Sequence, residues 1–299
     1  MGHVVVLGAP GVTINLRFVR QGEVTVGRQR LAYLEDGPAD GPLALCLHGF
    51  PDSAYGWRHL LPALAGAGYR AVAPWLRGYV PSGLAPDGRY TASAIAEDAD
   101  GLHAALGGDS RAVLIGHDWG ALGAYGAAAG GAERWSKLVT MAVPPMSAIA
   151  AGFLSYDQVK RSFYIYFFQT PFAEMAVGAG DLAFLDRLWA DWSPGYEAGE
   201  DLAHVKDALR APEHLSAALA TYRAMFQPDP QSRPDGPLSQ PWLYLHGRND
   251  GCIGVEVAPP GAVIVEDAGH FCQVERPDVV NAAVLGFLRS GPQITPVVA

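Results

Sequence analysis

Gly116-His117-Asp118-Trp119-Gly120 stands between Ala112-Val113-Leu114-Ile115, a short apolar run, and Ala121 to Ala129, a stretch rich in alanine and glycine. The apolar run predicts a buried strand and the small residues predict a helix. Glycines two positions before and after the central aspartate predict a crowded strand-to-helix bend that lifts the middle side chain out of the sheet. The bend also sets that side chain at a helix N-terminus, where free N–H groups favour an anion. A carboxylate is already charged at pH 7 and attacks without a base to ionise it. Asp118 is therefore the candidate nucleophile rather than an ordinary helix cap.

Outward from this bend the chain repeats one rhythm. Leu43 to Leu47 ends at His48-Gly49, Lys137 to Val143 at Pro144-Pro145, and Trp242 to Leu245 at His246-Gly247. Arg70 to Ala73 and Ala262 to Val265 are further runs of this kind, and helical stretches fall near 53–66, 92–106, 119–129 and 277–289. Continuous apolar strands spaced by helices predict a mostly parallel sheet covered on both faces. Phe18 to Val26 and Arg30 to Leu34, on either side of Gly27, predict an antiparallel edge. Between 146 and 236 the rhythm stops. Helices are expected there at Tyr156–Gln169, Leu182–Trp192 and Pro212–Phe226, with Gln227 to Pro237 as a linker. This block holds 14 of the chain's 30 aromatic residues, enough both to build its own core and to line an apolar pocket. The expected division is a core of residues 1–145 and 237–299 with a helical cap at 146–236.

Three further strand ends supply chemistry. In His48-Gly49-Phe50-Pro51 a turn can aim the Phe50 amide at the site reached by the Trp119 amide, giving an oxyanion hole. Asp52 is expected to cap the helix that follows. Asp250 follows one late strand and His270 the next, so the order is nucleophile, acid, histidine, as in hydrolase triads. His117 and His246 are read as supporting residues. His48, Pro51, Trp119, Tyr166 and Phe271 are the expected substrate-lining residues.

The formal net charge is −9 and basic residues do not cluster, which argues against a nucleic-acid partner. The three cysteines, Cys46, Cys252 and Cys272, form no CxxC pair, so buried free thiols are expected rather than a disulfide framework or a zinc site. No apolar run approaches a membrane span, and the first residues lack the basic region of an export signal. A cytoplasmic protein that needs no metal or organic cofactor is expected; monomer and homodimer both stay open.

Taken together, HGFP, GHDWG, GRND and AGHFCQVERP resemble the epoxide hydrolases of the α/β-hydrolase fold, over residues 30 to 290. The resemblance implies an eight-stranded, mostly parallel sheet with an inserted helical cap. It also implies a small apolar epoxide substrate and a covalent ester on Asp118, cleaved by water that His270 and Asp250 activate. Two cap tyrosines donate a proton to the opened oxygen in that family. Tyr164 and Tyr222 match them, with Tyr166 the rival for the first. Haloalkane and fluoroacetate dehalogenases share the aspartate nucleophile, so halide displacement is the alternative reaction, and a non-catalytic ligand-binding member of the fold is the alternative class. The sequence departs from the family at Trp75, where aspartate is frequent, and at Val80-Pro81, where glycine follows the tyrosine; both bear on substrate preference.

Overall fold

The computed structural model describes residues 19–130, 133–152, 155–233 and 238–290. Phe18, the amino-terminal stretch read for an export signal and the expected 236/237 boundary lie outside these residues. The strands are β1 (Arg20–Val26), β2 (Gln29–Asp36), β3 (Leu43–Leu47), β4 (Arg70–Pro74), β5 (Val113–His117), β6 (Lys137–Met141), β7 (Trp242–Gly247) and β8 (Val263–Val265). They form one sheet in the order β1-β2-β4-β3-β5-β6-β7-β8. β1 and β2 make the expected antiparallel edge, turning through Gly27 at φ +58°, and β2 also runs antiparallel to β4. From β4 onward every pairing is parallel. The central strands β3 and β5 are buried along their whole length. Covering on both faces is why they read as unbroken apolar runs instead of alternating ones.

The helices are α1 (Leu60–Gly66), α2 (Ala92–Ala105), α3 (Trp119–Gly130), α4 (Met146–Gly152), α5 (Tyr156–Arg161), α6 (Phe163–Phe167), α7 (Ala173–Trp192), α8 (Gly199–Leu209), α9 (Pro212–Ala224), α10 (Cys272–Glu275) and α11 (Pro277–Arg289). Of these, α4 to α9 fall between β6 and β7, where the strand rhythm stops. The single helix expected over Tyr156–Gln169 is two short helices, broken at Ser162. That hydroxyl accepts from Gln158 Nε2 at 2.9 Å, and the Gln158 amide also donates to the Cys252 carbonyl at 2.9 Å. A buried glutamine that ties the helix pair to the loop after β7 outweighs the continuous helical pattern. The expected start at Leu182 falls inside α7, where Gly180, Asp181 and Leu182 all have positive φ and interrupt the helix. Ser53, not Asp52, caps the turn after β3: its Oγ accepts from Tyr55 N at 3.3 Å, while Asp52 Oδ1 accepts from Ser53 N at 2.7 Å. The strand ends carrying His48, Asp118 and Asp250 lie at the carboxyl edge of the parallel strands β3, β5 and β7, with His270 after β8. Open α/β sheets bind ligands at that edge.

Candidate active site

The bend after β5 is built as its glycines predict. A Cβ on Gly120 would lie 2.1 Å from the Leu47 carbonyl oxygen, and one on Gly116 2.4 Å from that of Gly120. Strand, bend and helix therefore touch backbone to backbone. Gly120→Ala is expected to cost about 1–3 kcal/mol of overpacking, read as a lower urea midpoint. Asp118 itself sits at φ +54°, a left-handed conformation that costs a non-glycine residue about 1–3 kcal/mol. The carboxylate is 5 % exposed.

Asp118 Oδ1 accepts the Phe50 amide at 2.7 Å, so the first expected oxyanion donor already faces the carboxyl group. Gly49 makes this approach possible, since a Cβ there would meet Asp118 Oδ1 at 2.2 Å. On the other side His270 Nε2 stands 3.6 Å from Asp118 Oδ2, while His270 Nδ1 is 2.9 Å from Asp250 Oδ2. Asp250 Oδ1 accepts the amides of Cys252 and Ile253 at 2.8 and 2.9 Å, which fixes the carboxylate behind the imidazole. Asp118, His270 and Asp250 are thus brought together in the expected relation.

Charge follows geometry. Burial pushes Asp118 and Asp250 upward, yet the imidazole between them holds both below the usual carboxylate range. Burial pushes His270 down, but Asp250 and Asp118 outweigh it and raise it to about 10. Both carboxylates thus favour the protonated form of the imidazole. A raised histidine contributes stability that is full below its unfolded value near 6.5 and is lost as pH rises through about 10. The urea midpoint of the wild type is therefore expected to fall more between pH 7 and 10 than that of His270→Gln.

The supporting histidines are anchored to main-chain carbonyls. His117 Nε2 meets the His270 carbonyl oxygen at 2.9 Å, and burial pulls His117 down to about 3. His246 lies between Tyr244 Oη at 2.7 Å and the Ile253 carbonyl oxygen at 3.0 Å. His48 accepts the Leu76 amide through Nε2 at 3.1 Å, with Nδ1 2.9 Å from the Gly49 carbonyl oxygen, so neither nitrogen is left for a ligand. In the departing loop, Trp75 is buried against Tyr55, 5.8 Å between ring centres, and Tyr79 against His48 at 4.9 Å.

Tyr164 and Tyr222 enter from α6 and α9, each 2 % exposed, with ring centres 5.5 Å apart. Burial pushes both phenols well above the ordinary tyrosine range, and the charge on Asp118 pushes the same way. Tyr164 Oη lies 3.2 Å from Cys252 Sγ, whereas Tyr222 Oη has no hydrogen-bond partner in the structure. Trp119 packs edge-on against Tyr222 at 5.2 Å. Tyr166 is placed elsewhere: it is 48 % exposed and its ring faces Phe226. Phe271 stacks on Trp189 at 3.5 Å and meets the His270 ring edge-on at 5.0 Å. Pro51 presents its carbonyl to Trp189 Nε1 at 2.8 Å. A cavity of about 420 Å³ borders the site across Trp119, with Leu122, Thr221, Met225, Asp229 and Arg233 in its walls.

Two positioning groups carry no sequence signal. The Trp192 carbonyl, at the end of α7, accepts the amides of both His270 and Gly251, at 3.0 and 3.1 Å. Glu275 accepts the amides of Gly269 and Phe271, at 2.7 and 3.0 Å, so it grips the chain on both sides of His270. All three cysteines are free and buried. Ligand atoms of Asp250, Cys252 and His270 lie within 4.8 Å of one another, but the Asp250 oxygens are already engaged by His270 Nδ1 and two amides, a poor fit to a metal ion.

A bend that presents a side chain at the carboxyl edge of such a sheet, faced by a histidine–acid couple and an amide donor, defines an α/β hydrolase. The family model described as alpha/beta hydrolase fold matches residues 42–277, and the chain belongs to that family as an epoxide-hydrolase-like member. It is 32 % identical to the AB hydrolase superfamily protein YfhM of Bacillus subtilis, over 85 % of this chain and 92 % of that one. It is 31 % identical to epoxide hydrolase A of Mycobacterium tuberculosis, over 87 % and 94 % of the two chains. The solved Bacillus megaterium epoxide hydrolase, in complex with an inhibitor, superposes with a TM-score of 0.76 at 26 % identity, covering 90 % of this chain and all of that one. No helix among the described residues is long and apolar enough to cross a membrane.

Proposed function

We propose that the protein hydrolyses small apolar epoxides to vicinal diols through an ester on Asp118. The observation that carries the reading is the pair of buried phenols, Tyr164 and Tyr222, which feel the Asp118 charge while keeping their own protons. An alkoxide is a poor leaving group unless it is protonated, and a phenol that stays protonated at neutral pH is a fitting donor. A halide needs no such acid, so the second phenol has no task in a dehalogenase. Residues 146–236 act as the cap that brings both phenols over the sheet. The cavity across Trp119 gives the apolar part of the substrate its room.

Asp118 attacks one epoxide carbon, the C–O bond breaks, and a tyrosine proton passes to the oxygen. Esterification removes the Asp118 charge, one of the two that hold the proton on His270. His270 then gives that proton to the tyrosinate and serves as base just when the ester needs water. Hydroxide from the activated water adds to the Asp118 carbonyl carbon, with the Phe50 and Trp119 amides steadying the oxyanion; each such donor is worth about 10²–10³ in rate. His270 returns its proton to the departing diol oxygen. The regenerated Asp118 acid gives its proton to His270, and the resting state is restored. A single turnover of styrene oxide in ¹⁸O-water tests the scheme: the label is expected in Asp118, and label found only in the diol would sink the covalent route.

A further inference from the structure

The helices that present the two phenols inward are apolar on their outer face as well. Tyr156, Val159, Phe163 and Tyr166 follow one another at spacings of three and four along α5 and α6, and all are exposed, Tyr156 by 81 %. Within each helix the spacing of three puts its pair on one face. Phe172 and Met175, 59 % and 69 % exposed, stand at the start of α7. Phe226, 58 % exposed, lies after α9, with its ring 6.3 Å from that of Tyr166. The Arg223–Glu174 ion pair ties α9 to α7 beside these residues. Seven of the nine exposed large apolar side chains among the described residues thus fall within one helical block.

An aromatic side chain offers about 150–250 Å² when fully exposed, so the patch presents on the order of 800 Å². That exceeds the roughly 300–600 Å² of the largest patch on a typical monomer and equals the share of one partner in a standard interface, about 800 Å². We infer that this face is covered by a second copy of the same chain in a two-fold homodimer. Charge favours that occupant. The chain carries −9 overall, but at the patch Arg223 is paired with Glu174 and Arg161 with Glu256, leaving one acid, Asp157, and one base, Lys160, both exposed. The face is locally neutral, so an identical copy approaches without like-charge repulsion. An anionic membrane or an acidic partner meets no basic patch to draw it there. In a two-fold contact the same residues serve both sides, so one exposed apolar face is enough. The pairing braces α6 and α9 from outside, opposite Tyr164 and Tyr222.

Sedimentation equilibrium of the full chain at 1–100 µM tests this. A dimer is expected at tens of micromolar, shifted at least tenfold toward monomer by Phe172→Glu with Met175→Glu, and unmoved by Leu84→Glu, an exposed apolar site away from the block. Hydrogen exchange of the unaltered chain removes dependence on how the variants fold: slower exchange in residues 156–175 at 100 µM than at 1 µM supports the dimer. A wild-type monomer at 100 µM overturns the inference. So does a dimer indifferent to the paired glutamates, or a monomer that floats with phosphatidylcholine vesicles.

Discussion

His270→Gln is expected to stop the enzyme halfway, with intact mass spectrometry after addition of styrene oxide showing the protein heavier by one substrate molecule. Attack on the epoxide needs only the ionised Asp118 and a phenol proton, neither supplied by His270. Water activation needs the imidazole, and a positioned base contributes about 10²–10⁴ in rate. Steady-state turnover should fall by at least that factor while one equivalent of ester accumulates, localised to the peptide that contains Asp118. The resting charge balance adds a second effect. Loss of the imidazolium leaves Asp118 and Asp250 without the cation that holds both down, so the Asp118 carboxyl rises and alkylation by the variant should weaken at acid pH sooner than in the wild type. An active wild type whose His270→Gln form never gains mass would remove the ester scheme.

The second large effect belongs to the phenols. Tyr164→Phe together with Tyr222→Phe should abolish epoxide opening within detection, a loss of about 10²–10⁴ or more, and should leave the ester undetected even in a His270→Gln background. The fold should survive. Tyr222 Oη is buried without a partner, and removing such an atom spares a desolvation penalty, while Tyr164 Oη gives up only a contact to Cys252 Sγ. An unchanged urea midpoint with lost turnover would separate chemistry from folding. Tyr166→Phe should leave turnover unchanged, because that ring faces solvent and Phe226. Full activity in the double variant would reassign the acid.

The parts legible in the sequence were those with a backbone reason to recur. Asp118 was readable because its bend demands glycine on both sides, and the packing of Gly116 and Gly120 bears this out. Asp250 and His270 were readable because each ends a strand of a parallel sheet. The sheet itself followed from unbroken apolar runs. What the sequence concealed was held by main chain or by a remote contact. The Trp192 carbonyl carries no side-chain signature, and Glu275 looks like any surface acid near a helix start. Ser162 breaks a helix because Gln158 reaches the loop after β7, a contact between distant parts of the chain. Tyr164 was preferred over its rival Tyr166 only through the family resemblance, in a largely aromatic run; the helix placement turns one inward and the other out.

Asp250 and His270 hang from one peg. Because a single carbonyl at the end of α7 receives an amide from the acid's turn and another from the histidine's loop, any displacement of that helix carries the two together. Their mutual spacing is kept, and only their reach to the carboxylate on the elbow changes. Transplanting another protein's insertion onto this sheet would therefore reset the hydrolytic step along with substrate fit, unless the donor segment ends on the same spot.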